Sequence, residues 1–252
     1  MGLWPWGRRG PSGFGSASTA EEVTAGVDAS HLTAIVTGAT NGIGKETARV
    51  LALRGAEVII PARTMESGLK VKESLAEQVP SSKLHVMEMD LSSLSSVRNF
   101  AQSFNSSYER LNILMYRPFI AYSHSKLANI LHANELSRRF QEEGCNLTAN
   151  SLHPGVIFTN IIRYVAGNSA LLSVLSPVAN LVLKNVPQGA ATNCYLALHP
   201  DLKDVSAKYF ADCNEATPTK VARDAELAKK LWLFSEELVG TNVGINEASG
   251  PE

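Results

Sequence analysis

The sequence predicts an α/β protein, a doubly wound parallel sheet with helices on both faces. Apolar, β-branched runs of strand length alternate with amphipathic stretches of helix length along most of the chain. The first such run ends in a glycine-rich turn that opens directly into a helix. At 252 residues, 44% of them hydrophobic, the chain is long enough to bury one sizeable core. The expected layout is an extension over residues 1–30, one domain over 31–240 and a disordered tail over 241–252.

Thr19-Ala20-Glu21-Glu22 has the form of a capping box and predicts a short helix ahead of the first strand. Residues 32–36 read as a buried strand, and Thr37-Gly38-Ala39-Thr40-Asn41-Gly42-Ile43-Gly44 as the turn that leaves it. A helix over 45–55 follows, with Ala48, Leu51 and Ala52 on one face and Gly55 as its stop. The second strand is 57–63, with Pro61 near its end. A helix over 67–79 stops before Pro80. A third strand, 83–89, runs into Asp90-Leu91. Residues 93–104 predict a helix and 111–115 a fourth strand. A long helix over 122–143 turns Leu127, Ile130, Leu131 and Leu136 inward and closes near Gly144, and a strand over 147–153 ends at Pro154-Gly155. Residues 170–183, apolar but broken by Ser173, Ser176, Pro177 and Asn180, predict a pair of short helices, buried or covering a substrate. A helix over 188–198, a short strand near Tyr209-Phe210 and a helix over 225–238 complete the pattern. On that last helix Leu227, Leu231, Phe234 and Leu238 form a stripe beside Trp232, read as core packing. Its balanced charges weigh against peptide-like recognition.

Composition excludes several classes of function. A formal net charge of −1 gives no pull toward nucleic acid. Cys145, Cys194 and Cys213 lack paired spacing, so neither a disulfide nor a metal site is expected. No apolar run reaches the length of a spanning helix. The first twenty residues lack acids and carry Trp4, Trp6, Arg8 and Arg9, which suits an organelle-targeting or membrane-surface segment and equally a disordered leader.

A strand, a glycine turn and a helix in that order make a phosphate cradle. Glycines admit a pyrophosphate close to the backbone, and the helix start offers unpaired N–H groups at a positive dipole end. The place that would hold a ribose-binding acid is occupied by Arg63, whose guanidinium suits a 2′-phosphate; NADP(H) is therefore expected over NAD(H). Asp90 either accepts from the adenine amino group or caps the turn into Ser92-Ser93. Tyr122 and Lys126, at i and i+4, share a helix face, where an ammonium lowers the phenol toward the working pH as a proton donor and acceptor.

The turn T-G-A-T-N-G-I-G, the Y-S-H-S-K pair and the H-P-G-V-I-F-T run resemble the short-chain dehydrogenase/reductase family, over roughly residues 32–238. The finer patterns S-T-A-E-E-V, S-K-L-A-N and P-Q-G-A-A-T are similar to its plant branch, which serves the chloroplast inner envelope and is related to retinol dehydrogenases. The resemblance implies a Rossmann-like fold in which Gly38, Asn41, Gly42, Ile43 and Gly44 line the pyrophosphate. It further implies that Arg63, Asp90 and Leu91 meet the adenosine end, and that Lys126 holds the nicotinamide ribose. Pro154, Gly155 and Thr159 then approach the carboxamide, and Tyr122 is the catalytic acid–base. It implies a small apolar carbonyl or alcohol substrate, a chloroplast envelope location with the cytoplasm as the alternative, peripheral membrane contact and a homo-oligomer.

The family pattern also implies an Asn-Asn-Ala-Gly run after the fourth strand, then a helix with an active-site asparagine and a strand with a serine. None is present. Only Tyr116 to Ala121 separate Met115 from Tyr122. A parallel crossover needs at least ~10–12 residues with its helix, so one helix and one strand are missing. The strand over 147–153 is then expected either beside the fourth strand in a right-handed crossover or elsewhere, leaving an open edge. Either outcome predicts weak or no turnover.

Overall fold

The computed structural model describes residues 9–115, 122–155 and 184–240, the side chains of 122–126 excepted. The tail, the expected helices over 170–183 and residues 116–121 lie outside them. The chain divides into two compact units where one domain over 31–240 is expected: residues 1–118, 152–205 and 209–216, and residues 119–151, 206–208 and 217–252.

In the first unit the parallel sheet is built as the alternation dictates. Strands β1 (Thr33–Val36), β2 (Glu57–Ala62), β3 (Lys83–Glu88) and β4 (Ile113–Met115) run in the order β3-β2-β1-β4. They are all parallel, with Ala34 level with Val58 and Ile113. Helices α2 (Gly42–Leu53), α3 (Met65–Gln78) and α4 (Leu94–Ser107) connect them. Side chains alternate across a strand, so Ala34, Val36, Val58 and Ile60 face Ala48, Leu51, Val71 and Leu75 of α2 and α3. Ile35 and Ile59 face Phe100 and Phe104 of α4 on the other side. Helices thus lie on both faces of the sheet over β1 and β2, which is the doubly wound arrangement.

Caps explain the boundaries. Thr19 and Glu22 form the reciprocal capping box of α1 (Ala20–Val23). Asn41 caps α2 by accepting from Gly42 N–H, so the helix opens three residues before the expected start. Thr64 caps α3 by accepting from Ser67 N–H, and Ser93 caps α4. Residues 9–30 pack into the same unit: Ala20 and Val23 are buried, and Phe14 meets Tyr195 edge-on at 5.7 Å.

One expected strand is shorter than its pattern, and of the two places open to it the one beside β4 is not taken. The run over 147–153 shortens to β5 (Ser151–His153) and does not join β4. It belongs to a second, three-stranded sheet in the order β5-β6-β7, with β6 (Tyr209–Ala211) and β7 (Asn214–Glu215) antiparallel. Among the described residues β4 pairs with β1 alone, and Leu114 on it is 60% exposed. Leu114 stands level with Ile35 of β1, so its side chain shares the face that α4 covers further along the sheet. The β6–β7 turn escaped sequence reasoning: Asp212 and Cys213 both have positive φ, 52° and 62°, the geometry of a type I′ hairpin normally given to Asn-Gly.

α6 (Val186–Leu198) starts at a capping box between Asn185 and Gln188 and is buried along Ala190, Ala191, Cys194 and Tyr195. In the second unit α5 (Tyr122–Glu142) packs on α7 (Ala225–Val239). His132 stacks on Trp232 with ring centroids 4.8 Å apart, and the Arg139 guanidinium lies 4.4 Å from the same ring. Leu131 is buried as expected, whereas Leu127, Ile130 and Leu136 are only half-buried. The stripe on α7 is not core: Phe234 and Leu238 are 56% and 65% exposed, and Ala228 is the buried residue.

Candidate functional site

Parallel strands end together, so the carboxyl edge of the sheet gathers Thr37, Arg63, Asp90 and Met115. The winding reverses between β1 and β4, since β1 leads through α2 to β2 on one side while α4 carries the chain to β4 on the other. Such a reversal opens a ligand crevice.

The turn over 37–41 is tied at both ends. Thr37 donates to the Met115 carbonyl through its N–H at 2.9 Å and its hydroxyl at 3.1 Å. Gly38 and Gly42 have φ of 66° and 55°, a region where a Cβ is strained. Gly44 is required for a different reason. A Cβ there would stand 2.2 Å from the Gly38 oxygen, so the helix sits directly on the turn's backbone. In the first turn of α2, Gly42 N–H is taken by Asn41 Oδ1 at 2.7 Å. The Ile43 and Gly44 N–H groups have no partner among the described residues, and no acid stands beside them. A diphosphate oxygen fits donors so arranged. From behind, Asn193 donates to Thr47 Oγ1 at 3.3 Å, and that hydroxyl donates to the Ile43 carbonyl at 2.8 Å. This buried chain from α6 was not foreseen, because nothing local marks an asparagine in an alanine-rich helix as a brace.

Arg63 is exposed just past β2, with no hydrogen bond among the described residues. Asp90 follows β3, which Met89 N–H joins to the Ala62 carbonyl at 2.8 Å. Its Oδ1 accepts from Ser92 N–H at 2.9 Å and from the Ser92 hydroxyl at 2.8 Å. Those two bonds, and least of all the charge of Arg63, hold the carboxyl below its ordinary range against a smaller opposing effect of burial. The turn-cap bonds to Ser92 are thus formed through Oδ1 alone. Leu91 beside it is 44% exposed.

A depression of about 290 Å³ flanks the same helix start, lined by Asn41, Gly42, Lys45, Glu46, Arg49 and residues of α3 and α6. Its cations are engaged, Lys45 with Ser74 at 2.9 Å and Arg49 with Glu46 at 2.8 Å and with Glu21. It lies on the side of α2 rather than over the strand ends.

At the other end of the expected site, Gly155 (φ 89°) donates to His153 Nδ1 at 3.0 Å. The Lys184 side chain runs over Gly155, its Cδ, Cε and Nζ filling the place where a Cβ would stand. Lys184 is 8% exposed and its ammonium pairs with Asp212 of the hairpin turn. The Cys213 N–H donates to Thr192 Oγ1 at 3.2 Å, and burial pushes the Cys213 thiol up to about 11. The only hint of this clamp in the sequence is a single lysine ending an apolar run. Positions 122 and 126 lie one turn apart at the start of α5, while their side chains, and Thr159, lie outside the described residues. Among the described residues no group of three side chains could hold a metal, and no helix is long and apolar enough to cross a membrane.

A family model described as short chain dehydrogenase matches residues 32–117, stopping just past β4. A protein of Brassica napus named short-chain dehydrogenase TIC 32 A, chloroplastic, is 41% identical over 311 residues, covering 92% of this chain and 96% of that protein. Since the chain has 252 residues, that alignment spans many positions for which it has no counterpart. Retinol dehydrogenase 12 of Mus musculus is 31% identical over 276 residues, covering 82% of this chain and 85% of that one. Among solved structures, an NADPH-bound short chain oxidoreductase of Pseudomonas aeruginosa with an atypical catalytic center superposes with a TM-score of 0.58. It is 16% identical and covers 73% of this chain and 96% of its own.

Proposed function

The chain belongs to the short-chain dehydrogenase/reductase family of nicotinamide-dependent oxidoreductases, and from that membership we propose an NADP(H) site acting on a small apolar carbonyl or secondary alcohol, with turnover impaired by the missing segment. The observation that carries it is the start of α2, where two free N–H groups and a backbone kept bare by Gly38, Gly42 and Gly44 suit a diphosphate. Arg63, uncommitted at the end of β2, supports NADP(H) over NAD(H). Leu91 and Asp90 flank the adenosine end, and Pro154 and Gly155 the nicotinamide end, with Lys126 on the ribose.

When bound, the nicotinamide ring accepts or delivers a hydride. Tyr122 gives the balancing proton to a carbonyl oxygen or takes it from an alcohol, helped by the Lys126 ammonium one turn on. The serine that would hold the developing oxyanion is missing, and losing one such donor costs ~10²–10³ in turnover. The exposure of Leu114 on β4, which among the described residues pairs with β1 alone, favours a second reading, an NADP(H)-binding or interaction protein without turnover. The names of the plant relatives support a chloroplast location for either, with envelope contact as the finer reading.

Calorimetry with NADPH and NADH, followed by absorbance at 340 nm with an aldehyde panel, tests both readings. NADPH binding tighter than NADH, with slow turnover abolished by Tyr122→Phe, is expected. Binding without turnover leaves the second reading. A folded chain that takes up neither nucleotide overturns both.

A further inference from the structure

α7 carries an apolar face that its own unit leaves uncovered. Leu233, Phe234 and Leu238 are 50%, 56% and 65% exposed, while Trp232 and Glu236 turn toward α5. At about 100° per residue, Lys230, Leu233, Phe234 and Glu237 share one face with Leu238 at its border, and all five are exposed. A depression of about 330 Å³ lined by Leu233, Glu236, Glu237 and Gly240 lies beside it. Neither Lys230 nor Glu237 has a side-chain partner among the described residues.

We propose that this face pairs with the same face of a second copy of the chain, antiparallel, about a two-fold axis between Leu233 and Phe234. The order of charges selects that occupant. In the register where Leu233 of one copy meets Phe234 of the other, Lys230 meets Glu237, and the two-fold repeats both contacts. Parallel pairing would set Lys230 on Lys230 and Glu237 on Glu237. An antiparallel slip of one turn would set Glu226 on Glu237. Of these three arrangements, the first alone matches apolar with apolar and cation with carboxylate at once. An anionic lipid surface fits poorly, because three carboxylates on α7 outnumber its two ammonium groups. A lone pair of helices this short, about 22 Å each, buries less than the ~1,600 Å² of a standard interface. The dimer is accordingly concentration-dependent, with dissociation on the order of micromolar or weaker.

Sedimentation velocity of the full chain over a concentration series reads the pairing. The wild type should dimerise. Lys230→Glu and Glu237→Lys should each weaken the dimer roughly tenfold or more, since each sets two like-charged pairs face to face. The double variant should return it to the wild-type value. Both substitutions lie on exposed positions, and circular dichroism checks that each of the three variants is folded. A wild type monomeric at every concentration, a dimer indifferent to the single substitutions, or a double variant that fails to recover would overturn the proposal. Co-sedimentation with phosphatidylserine/phosphatidylcholine vesicles in place of self-association would do so as well.

Discussion

Replacing Gly44 by alanine separates the cradle from ordinary helix energetics. In an unconstrained helix interior, alanine is favoured over glycine by ~1 kcal/mol. Here the new Cβ would stand 2.2 Å from the Gly38 oxygen, 2.7 Å from its carbonyl carbon and 3.1 Å from Ala39 N. All three are backbone atoms, and an unstrained carbon–oxygen contact is about a full ångström longer. No rotamer can relieve the overlap, so α2 must lift off the turn. Overpacking of this kind costs ~1–3 kcal/mol, which for a chain of this size lowers Tm by about 4–8 °C for each 2 kcal/mol. The lift also withdraws the Ile43 and Gly44 N–H groups. Two hydrogen bonds to a charged group, at ~1.5–3 kcal/mol each, put the loss of NADPH affinity at roughly 100-fold or more. Isothermal titration calorimetry measures it, with Leu75→Ala as the control, a buried truncation in α3 that costs at least as much stability. Gly44→Ala binding NADPH within threefold of the wild type, at temperatures where both are folded, would refute the reasoning.

Arg63→Ala should weaken NADPH about tenfold or more while leaving NADH nearly unchanged, because a guanidinium–phosphate contact is lost with only one of them; equal losses would show that Arg63 holds no 2′-phosphate. Glu135 is 2% exposed and accepts from Arg138 and Arg139, and the Arg138 bonds above all hold its carboxyl down at about 2. A depressed folded-state value means stability that is present above the unfolded value near pH 4.5 and lost as pH falls toward 2. With Arg138 itself 40% exposed, we expect about 1–2 kcal/mol across that window; thermal melts of Glu135→Gln should lose this slope, and an unchanged slope would assign it elsewhere. Leu114→Lys should leave Tm within about 2 °C, since an exposed side chain is exchanged, and should reduce light scattering by replacing an exposed apolar group with a charge. A drop above about 8 °C would mean that Leu114 is covered after all.

How much of the molecule could be read without its coordinates follows from the range of each interaction. Short-range chemistry was legible. A capping threonine three residues before Glu22, glycines at positions of positive φ and β-branched strands before amphipathic helices all act within a turn or two, so residues 19–115 fold much as they read. Chain geometry alone also showed that no helix and strand fit between Met115 and Tyr122. The start of α2 moved from Lys45 to Gly42 only because a cap bond decides it.

The rest depended on partners distant in the chain. A strand pattern over 147–153 states that the segment wants a ladder, not which one. With the crossover gone, the ladder it found was β6, not β4. Asp212-Cys213 carries no turn signal of the usual kind; its left-handed pair is held by Lys184 and Thr192 from elsewhere. Leu238 reads as a core residue and is 65% exposed, while Glu135, which no sequence pattern singled out, is 2% exposed. Periodicity fixes which residues share a face of a helix, while what that face meets is decided by packing, and packing is known only once every neighbour is in place.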